Sequence, residues 1–105
     1  MDSKYQVNIS AHAAEDLRNI YNYISSIFLA DKTAANIISD IRDMIYSLEI
    51  MPQRFSYSLN PMLENQGYRR ALVKKYVILY LIDEGSKVVN IARIFHGSMD
   101  YGRYI

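Results

Sequence analysis

The sequence predicts an α+β domain in which one strand precedes a pair of helices and three strands follow them. Three observations lead there. Alternating apolar residues open the chain, two helical stripes come next, and the second half holds short apolar runs separated by turns. With 105 residues, the chain is expected to form a single domain over positions 1–105. The order β-α-α-β-β-β suits an antiparallel three-strand meander, with the first strand beside it and both helices on one face.

The first strand is read from Tyr5, Val7 and Ile9, which alternate with Gln6 and Asn8 as a strand with one buried face requires. Ser10 then offers a hydroxyl as helix N-cap. Ala13, Leu17, Ile20, Tyr21, Ile24, Ile27 and Phe28 recur at three- and four-residue spacing, which predicts an amphipathic helix. Ala30-Asp31 interrupts the stripe, and Asp31 is suited to cap a second helix. There Ala34, Ile37, Ile38, Ile41, Met44, Ile45, Leu48 and Met51 repeat the spacing until Pro52. Neither helix of this hairpin can bury its stripe alone, so both need a sheet to cover.

Residues 53–67 carry Ser, Asn, Pro and Gly punctuation and predict a loop of roughly fifteen residues with one helical turn, long enough to suggest a function. Pro61 argues against an interior strand there. Strands are predicted over Tyr68–Val73, Tyr76–Ile82 and Val88–Phe95, with Asp83-Glu84-Gly85-Ser86 as a hairpin turn.

Charge divides the chain. Residues 1–52 sum to −3 and residues 53–105 to +4, giving a net +1. The second half is therefore the expected surface for an anionic partner. There are no cysteines, which excludes disulfides, thiolate metal sites and cysteine nucleophiles. The only histidines are His12 and His96, so no metal site is expected. All four glycines lie after residue 66, and no phosphate-cradling loop or serine-hydrolase elbow is present. No cofactor is expected. No apolar window approaches the ~20 residues of a membrane span, and the first residues lack an apolar signal core. A soluble cytoplasmic protein without membrane contact is the expectation.

The chemistry concentrates in the predicted sheet. Arg69 and Arg70 alternate faces of one strand, and Lys74 and Lys75 occupy the turn after it. As a group with Arg93 and His96 they suit an anionic partner, although basic strand ends also discourage edge pairing. Arg93 lies inside an apolar run and needs a partner, for which Asp100 or Glu64 is available. His96 suits general acid–base work. Tyr68, Tyr101 and Tyr104 flank the basic ends and could stack on a base. Glu15 and Asp16 sit early in the first helix, where they favour the helix dipole, and they are read as capping and solubility residues without a catalytic role.

The ordered text resembles the RelE/ParE superfamily of type II toxin–antitoxin toxins, also known as plasmid-stabilisation proteins. The resemblance runs over nearly the whole chain. It rests on residues 14–24 (AEDLRNIYNYI), Ala34-Ala35 and the exit from Leu48 to Pro52. In the second half it rests on Tyr68-Arg69-Arg70, on Tyr76-Val77-Ile78-Leu79-Tyr80, and on Arg93-Ile94-Phe95-His96-Gly97 with Asp100-Tyr101.

What the resemblance implies differs by branch. RelE-like members cleave mRNA on the ribosome, and ParE-like members poison DNA gyrase. Both are silenced by a cognate antitoxin. The RelE pattern commonly places an arginine where this chain has Val77, and the expected lysine pair on the preceding strand is replaced at best by Arg69 and Arg70. The long helical pair with Tyr21-Asn22-Tyr23-Ile24 is similar to the ParE-like branch. The resemblance thus implies a gyrase inhibitor that binds its target through Arg69, Arg70, Lys74 and Lys75. The alternative is an endoribonuclease acting on mRNA in the ribosome, with Arg70, Arg93, His96 and Tyr101 as its catalytic set. A further alternative is a non-toxic homologue that only binds the antitoxin.

Overall fold

The computed structural model describes residues 4–28 and 31–98. The strand pattern at the start becomes β1 (Gln6–Ile9), and the two apolar stripes become α1 (Ala11–Phe28) and α2 (Asp31–Ser47). A 3-10 turn (Pro52–Arg54) and a short α3 (Pro61–Asn65) occupy the predicted loop. The strands β2 (Arg69–Val73), β3 (Tyr76–Asp83) and β4 (Val88–His96) follow. The sheet order is β1-β4-β3-β2. β2, β3 and β4 form the antiparallel meander, and β1 lies parallel to β4 from Gln6↔Val88 to Ile9↔Ile91.

Local chemistry fixes the ends of these elements. Ser10 Oγ accepts the Ala13 N–H at 3.0 Å, the expected N-cap of α1. Asn60 Oδ1 accepts from Met62 N–H (2.9 Å) and Leu63 N–H (3.3 Å), and Pro61 stands at the start of α3 where no N–H is needed. The C-terminus of α2 is closed by Arg54, whose guanidinium donates to the Ile50 carbonyl (2.6 Å), the Met51 carbonyl (3.2 Å) and Ser47 Oγ (2.7 Å). Asp31 opens α2, and its carboxylate accepts from Ser25 Oγ at 2.6 Å, tying the two helices together.

The sheet separates two cores. On the helix side, Ala13 and Leu17 of α1 and Ile41 and Ile45 of α2 pack on Ala71, Ile78, Tyr80, Val89, Ile91 and Ile94. On the opposite side, Leu63 of α3 covers Val77, Leu79 and Phe95. Tyr80 is fully buried, and its hydroxyl donates to the Pro52 carbonyl at 2.7 Å. Burial pushes that hydroxyl's pKa up to about 12. Among the described stripe residues, Ile27 and Met51 do not reach the core, being 56% and 66% exposed. Met51 falls beyond α2 in a left-handed turn (φ 47), where helical spacing no longer governs direction.

Among the described residues no helix is long and apolar enough to cross a membrane.

Candidate functional site

β1 covers β4 only as far as Ile91. From Ala92 onward no strand among the described residues lies beside the outer edge of β4, and side chains take the strand's place. Ser10 Oγ donates to the Ala92 carbonyl (3.1 Å), and the Asp16 carboxylate accepts the Ile94 N–H (2.9 Å). The same carboxylate holds Arg93 from two sides: Arg93 Nε donates to Oδ2 at 2.8 Å and Nη2 to Oδ1 at 3.0 Å. The Arg93 and Asp16 side chains are only 24% and 12% exposed. Low solvent access and bidentate geometry make this a strong pairing whose partners depend on each other.

Arg93 is therefore matched by Asp16 of α1, rather than by Glu64, and Asp100 lies outside the described residues. Asp16 is a pairing residue, not a solubility residue. Helical spacing held the clue: Asp16 shares the face of Ala13, Leu17 and Ile20, where a charge requires a partner. The local irregularity of β4 was not readable. Leu79 pairs with Arg93 and Tyr80 with Ile91, so Ala92 is an extra residue that bulges the strand.

Beyond the bulge, His96 stands opposite Tyr76. Their rings meet edge to face, with centroids 5.5 Å apart and planes at 82°. The Ser98 backbone N–H donates to His96 Nδ1 at 3.1 Å. A backbone N–H can only donate, so the neutral imidazole carries its proton on Nε2. Ser98 Oγ lies 2.8 Å from the same Nδ1. Burial, followed by the neighbouring Tyr23, raises the pKa of the Tyr76 hydroxyl.

Together these groups line a cleft of about 710 Å³ between α1 and the end of β4, with Asp16, Tyr23, Tyr76, Arg93, His96 and Ser98 on its walls. It offers an imidazole N–H donor and two phenols beside a cation already neutralised by a carboxylate. Arg93 and His96 of the candidate catalytic set meet there. Arg70 does not line the cleft. It lies on β2, two strands from β4 and so roughly 10 Å away across the backbone, and Tyr101 lies outside the described residues. Among the described residues no group of three His, Asp or Glu is placed to hold a metal ion.

The structure also divides the candidate target-binding cations. Arg69 turns inward at the sheet's other end. Its guanidinium donates to the Gln53 carbonyl (3.1 Å), the Phe55 carbonyl (2.6 Å) and the Tyr57 hydroxyl (2.9 Å), and stacks 4.1 Å from the Tyr57 ring centroid. That arrangement fastens the 53–57 segment to β2. Arg70 is half-buried, and Lys74 reaches Asp40 of α2 at 3.3 Å. Lys75 is exposed, and its carbonyl accepts the Gly97 N–H at 2.7 Å.

With this geometry in place, the family model for the ParE toxin of the type II toxin–antitoxin system parDE matches residues 7–101. The chain belongs to the ParE toxin family. Solved structures agree on the fold of this ParE-family toxin. The toxin–antitoxin complex RelBE2 from Mycobacterium tuberculosis is 20% identical, with 91% of this chain and 94% of that one aligned at a TM-score of 0.66. The chromosomal ParDE system of P. aeruginosa is 18% identical, with 90% and 98% aligned at a TM-score of 0.72. No curated protein sequence matches the chain. The expected architecture, β-α-α-β-β-β with the helices on one face, is the one observed.

Proposed function

We propose that this toxin acts in the ParE-like manner: it inhibits DNA gyrase and is neutralised by a cognate antitoxin. One observation carries the choice of branch. The sheet face under α3 holds Val77, Leu79 and Phe95 in an apolar core, and the arginine of the cleft on the other side is already paired with Asp16. Cleaving a phosphodiester calls for cations aimed at the developing charge. A neutralised arginine and an apolar sheet face supply that poorly. The ParE family match supports the same branch.

The antitoxin proposal rests on the two similar structures, both of toxin–antitoxin systems, and on a groove of about 410 Å³ between the helices. Leu17, Tyr21 and Ile38 line this groove with Arg18 and Arg42. An amphipathic segment with acidic flanks fits such a surface. A cytoplasmic site of action goes with this reading.

A second reading has an observation of its own. His96 lines the cleft beside Tyr76, Tyr23 and Arg93, and in its protonated, imidazolium form it is the kind of acid a RelE-like ribonuclease would use to protonate a leaving group. Purified toxin discriminates the two readings. We expect it to abolish supercoiling by gyrase and to leave ribosome-bound mRNA intact. Intact supercoiling with cut mRNA, lost in His96→Ala, would transfer the assignment to the nuclease. A soluble protein that does neither and causes no growth arrest would be the antitoxin-binding homologue.

A further inference from the structure

The cleft between α1 and the end of β4 carries hydrogen-bonding groups that the fold itself does not use. Asn19, Tyr23, Tyr76 and His96 line it. Among the described residues the Asn19 side-chain amide, both phenols and His96 Nε2 have no hydrogen-bond partner. Their roles are set by their surroundings. The Ser98 N–H bond to Nδ1 leaves Nε2 of the neutral ring as a donor. Burial, and then Tyr23, favour the protonated, donating form of the Tyr76 phenol. The Asn19 amide both donates and accepts.

The walls are aromatic and the floor is apolar. The Tyr76 and His96 rings meet edge to face at 5.5 Å, and Tyr23 stands in the same cleft, 62% exposed. Ile94 is buried and Ile20 half-buried beneath them. A largely apolar hollow with a few convergent polar groups is the general form of a small-ligand site. The volume of about 710 Å³ lies inside the range of such sites, roughly 300–1,000 Å³.

Charge narrows the ligand. The full charges on the walls are Arg93 and Asp16, and they are bound to each other. An anion entering here meets the Asp16 carboxylate and a guanidinium already committed to it, so a phosphate gains little. A cation meets the same pair from the opposite side of the argument. The ligand that fits is uncharged, flat, and edged with both donors and acceptors. A purine base has these properties. Its ring packs against phenol and imidazole rings, and adenine shows side by side the donor and the acceptor that an Asn amide takes in two bonds.

We propose that this cleft binds a free, uncharged purine nucleoside. The base packs against the tyrosine rings, and its edge meets Asn19 and His96. The site is independent of the toxin's target, since neither gyrase inhibition nor mRNA cleavage calls for a nucleoside there. It is also separate from the groove between the helices: α1 gives Leu17 and Tyr21 to the groove, and Ile20 and Tyr23 to the cleft. A bound nucleoside ties α1 to β4 beyond the point where β1 stops, and so stabilises the folded chain.

The test uses the full chain, labelled with nitrogen-15 and titrated with adenosine. The amides of Tyr23, Tyr76, Ile94 and Ser98 should shift together, with a dissociation constant of roughly 0.1 mM for a ligand of this size in an open cleft. Ribose alone should leave them unmoved. Adenosine monophosphate and a single-stranded oligo(dA) should bind no tighter than adenosine. Tyr23→Ala, at an exposed position, should weaken adenosine about tenfold. Tyr46→Ala, at an exposed position of α2 outside the cleft, should not. In urea denaturation of the unaltered chain, adenosine at ten times its dissociation constant should raise the folded-to-unfolded ratio about elevenfold.

Cleft amides unmoved at about 5 mM adenosine, far above the expected constant, overturn the proposal. So does an equal response to ribose, or full affinity in a folded Tyr23→Ala protein. Binding of the monophosphate or the oligonucleotide about tenfold tighter than adenosine also overturns it, because a phosphate site in the cleft would give it to a nucleic-acid strand. Each of these results leaves the toxin–antitoxin reading standing.

Discussion

The two edges of the sheet are finished by different chemistry. At the β4 edge a carboxylate does the work: Asp16 binds Arg93 twice and Ile94 N–H once. At the β2 edge a guanidinium does it: Arg69 gathers two carbonyls and a phenol from the 53–57 segment. The first edge is an ion pair with little access to water. The second is a set of charge-assisted bonds to neutral groups, and it stops short of Leu72. The comparison teaches that a basic strand end is not by itself a binding surface. Of the five cations and one histidine singled out on the sheet and its turn, Arg69 and Arg93 are chiefly committed to holding the fold, and Lys75 is an exposed cation available to a partner.

Breaking the β4 edge should have the largest effect. Asp16→Ala leaves Arg93 without its carboxylate in a largely buried site and strips a bond from Ile94. We expect a loss of about 3 kcal/mol, the low end for breaking a buried pair, measured by urea denaturation. A loss below ~1 kcal/mol would mean that Arg93 is solvated or otherwise matched. Asp16→Asn keeps the acceptor to Ile94 N–H and should lose less.

Arg69→Ala comes next, at about 2 kcal/mol, because hydrogen bonds to charged groups contribute more than neutral ones. Limited proteolysis should then begin within residues 53–57. The companion variant Lys75→Glu should leave stability within ~0.5 kcal/mol and weaken toxicity. If Lys75→Glu is fully toxic and a stable Arg69→Ala is not, target recognition belongs to the structural arginine and the contrast between edges fails.

The smallest effect sharpens the β2 side. Tyr80 pairs with Arg69 across the strands and donates to Pro52. Its pKa of about 12 in the folded chain exceeds the ordinary 10.0. A raised pKa contributes stability that is complete below pH 10 and is lost as the pH climbs toward 12. Tyr80→Phe should cost about 1 kcal/mol at neutral pH and should lack that alkaline decline. Equal slopes for both proteins between pH 10 and 12 would contradict the buried, neutral phenol.

Much of the fold was legible because it follows from spacing and local chemistry. Tyr5-Val7-Ile9, the two helical stripes, the Ser10 cap and the meander all depend on neighbours a few residues apart. One helical turn was expected within residues 53–67, and α3 (Pro61–Asn65) sits there. The candidate site was far less legible. Asp16 and Arg93 are 77 positions apart in sequence, and their meeting depends on β1 ending early and β4 bulging at Ala92. Nothing in the local text announces either event. Arg69 looked like Arg70 and Lys75 in sequence, and only the path of the 53–57 segment sets it apart.

The central claim is that the toxin acts on gyrase and not on translation. It is tested most directly by pulse-labelling new DNA and new protein in cells immediately after the toxin is induced without antitoxin. The account predicts that DNA synthesis stops first and that Asp16→Asn, if folded, behaves alike. A collapse of protein synthesis while DNA synthesis continues would contradict it and place His96 at the centre of a nuclease.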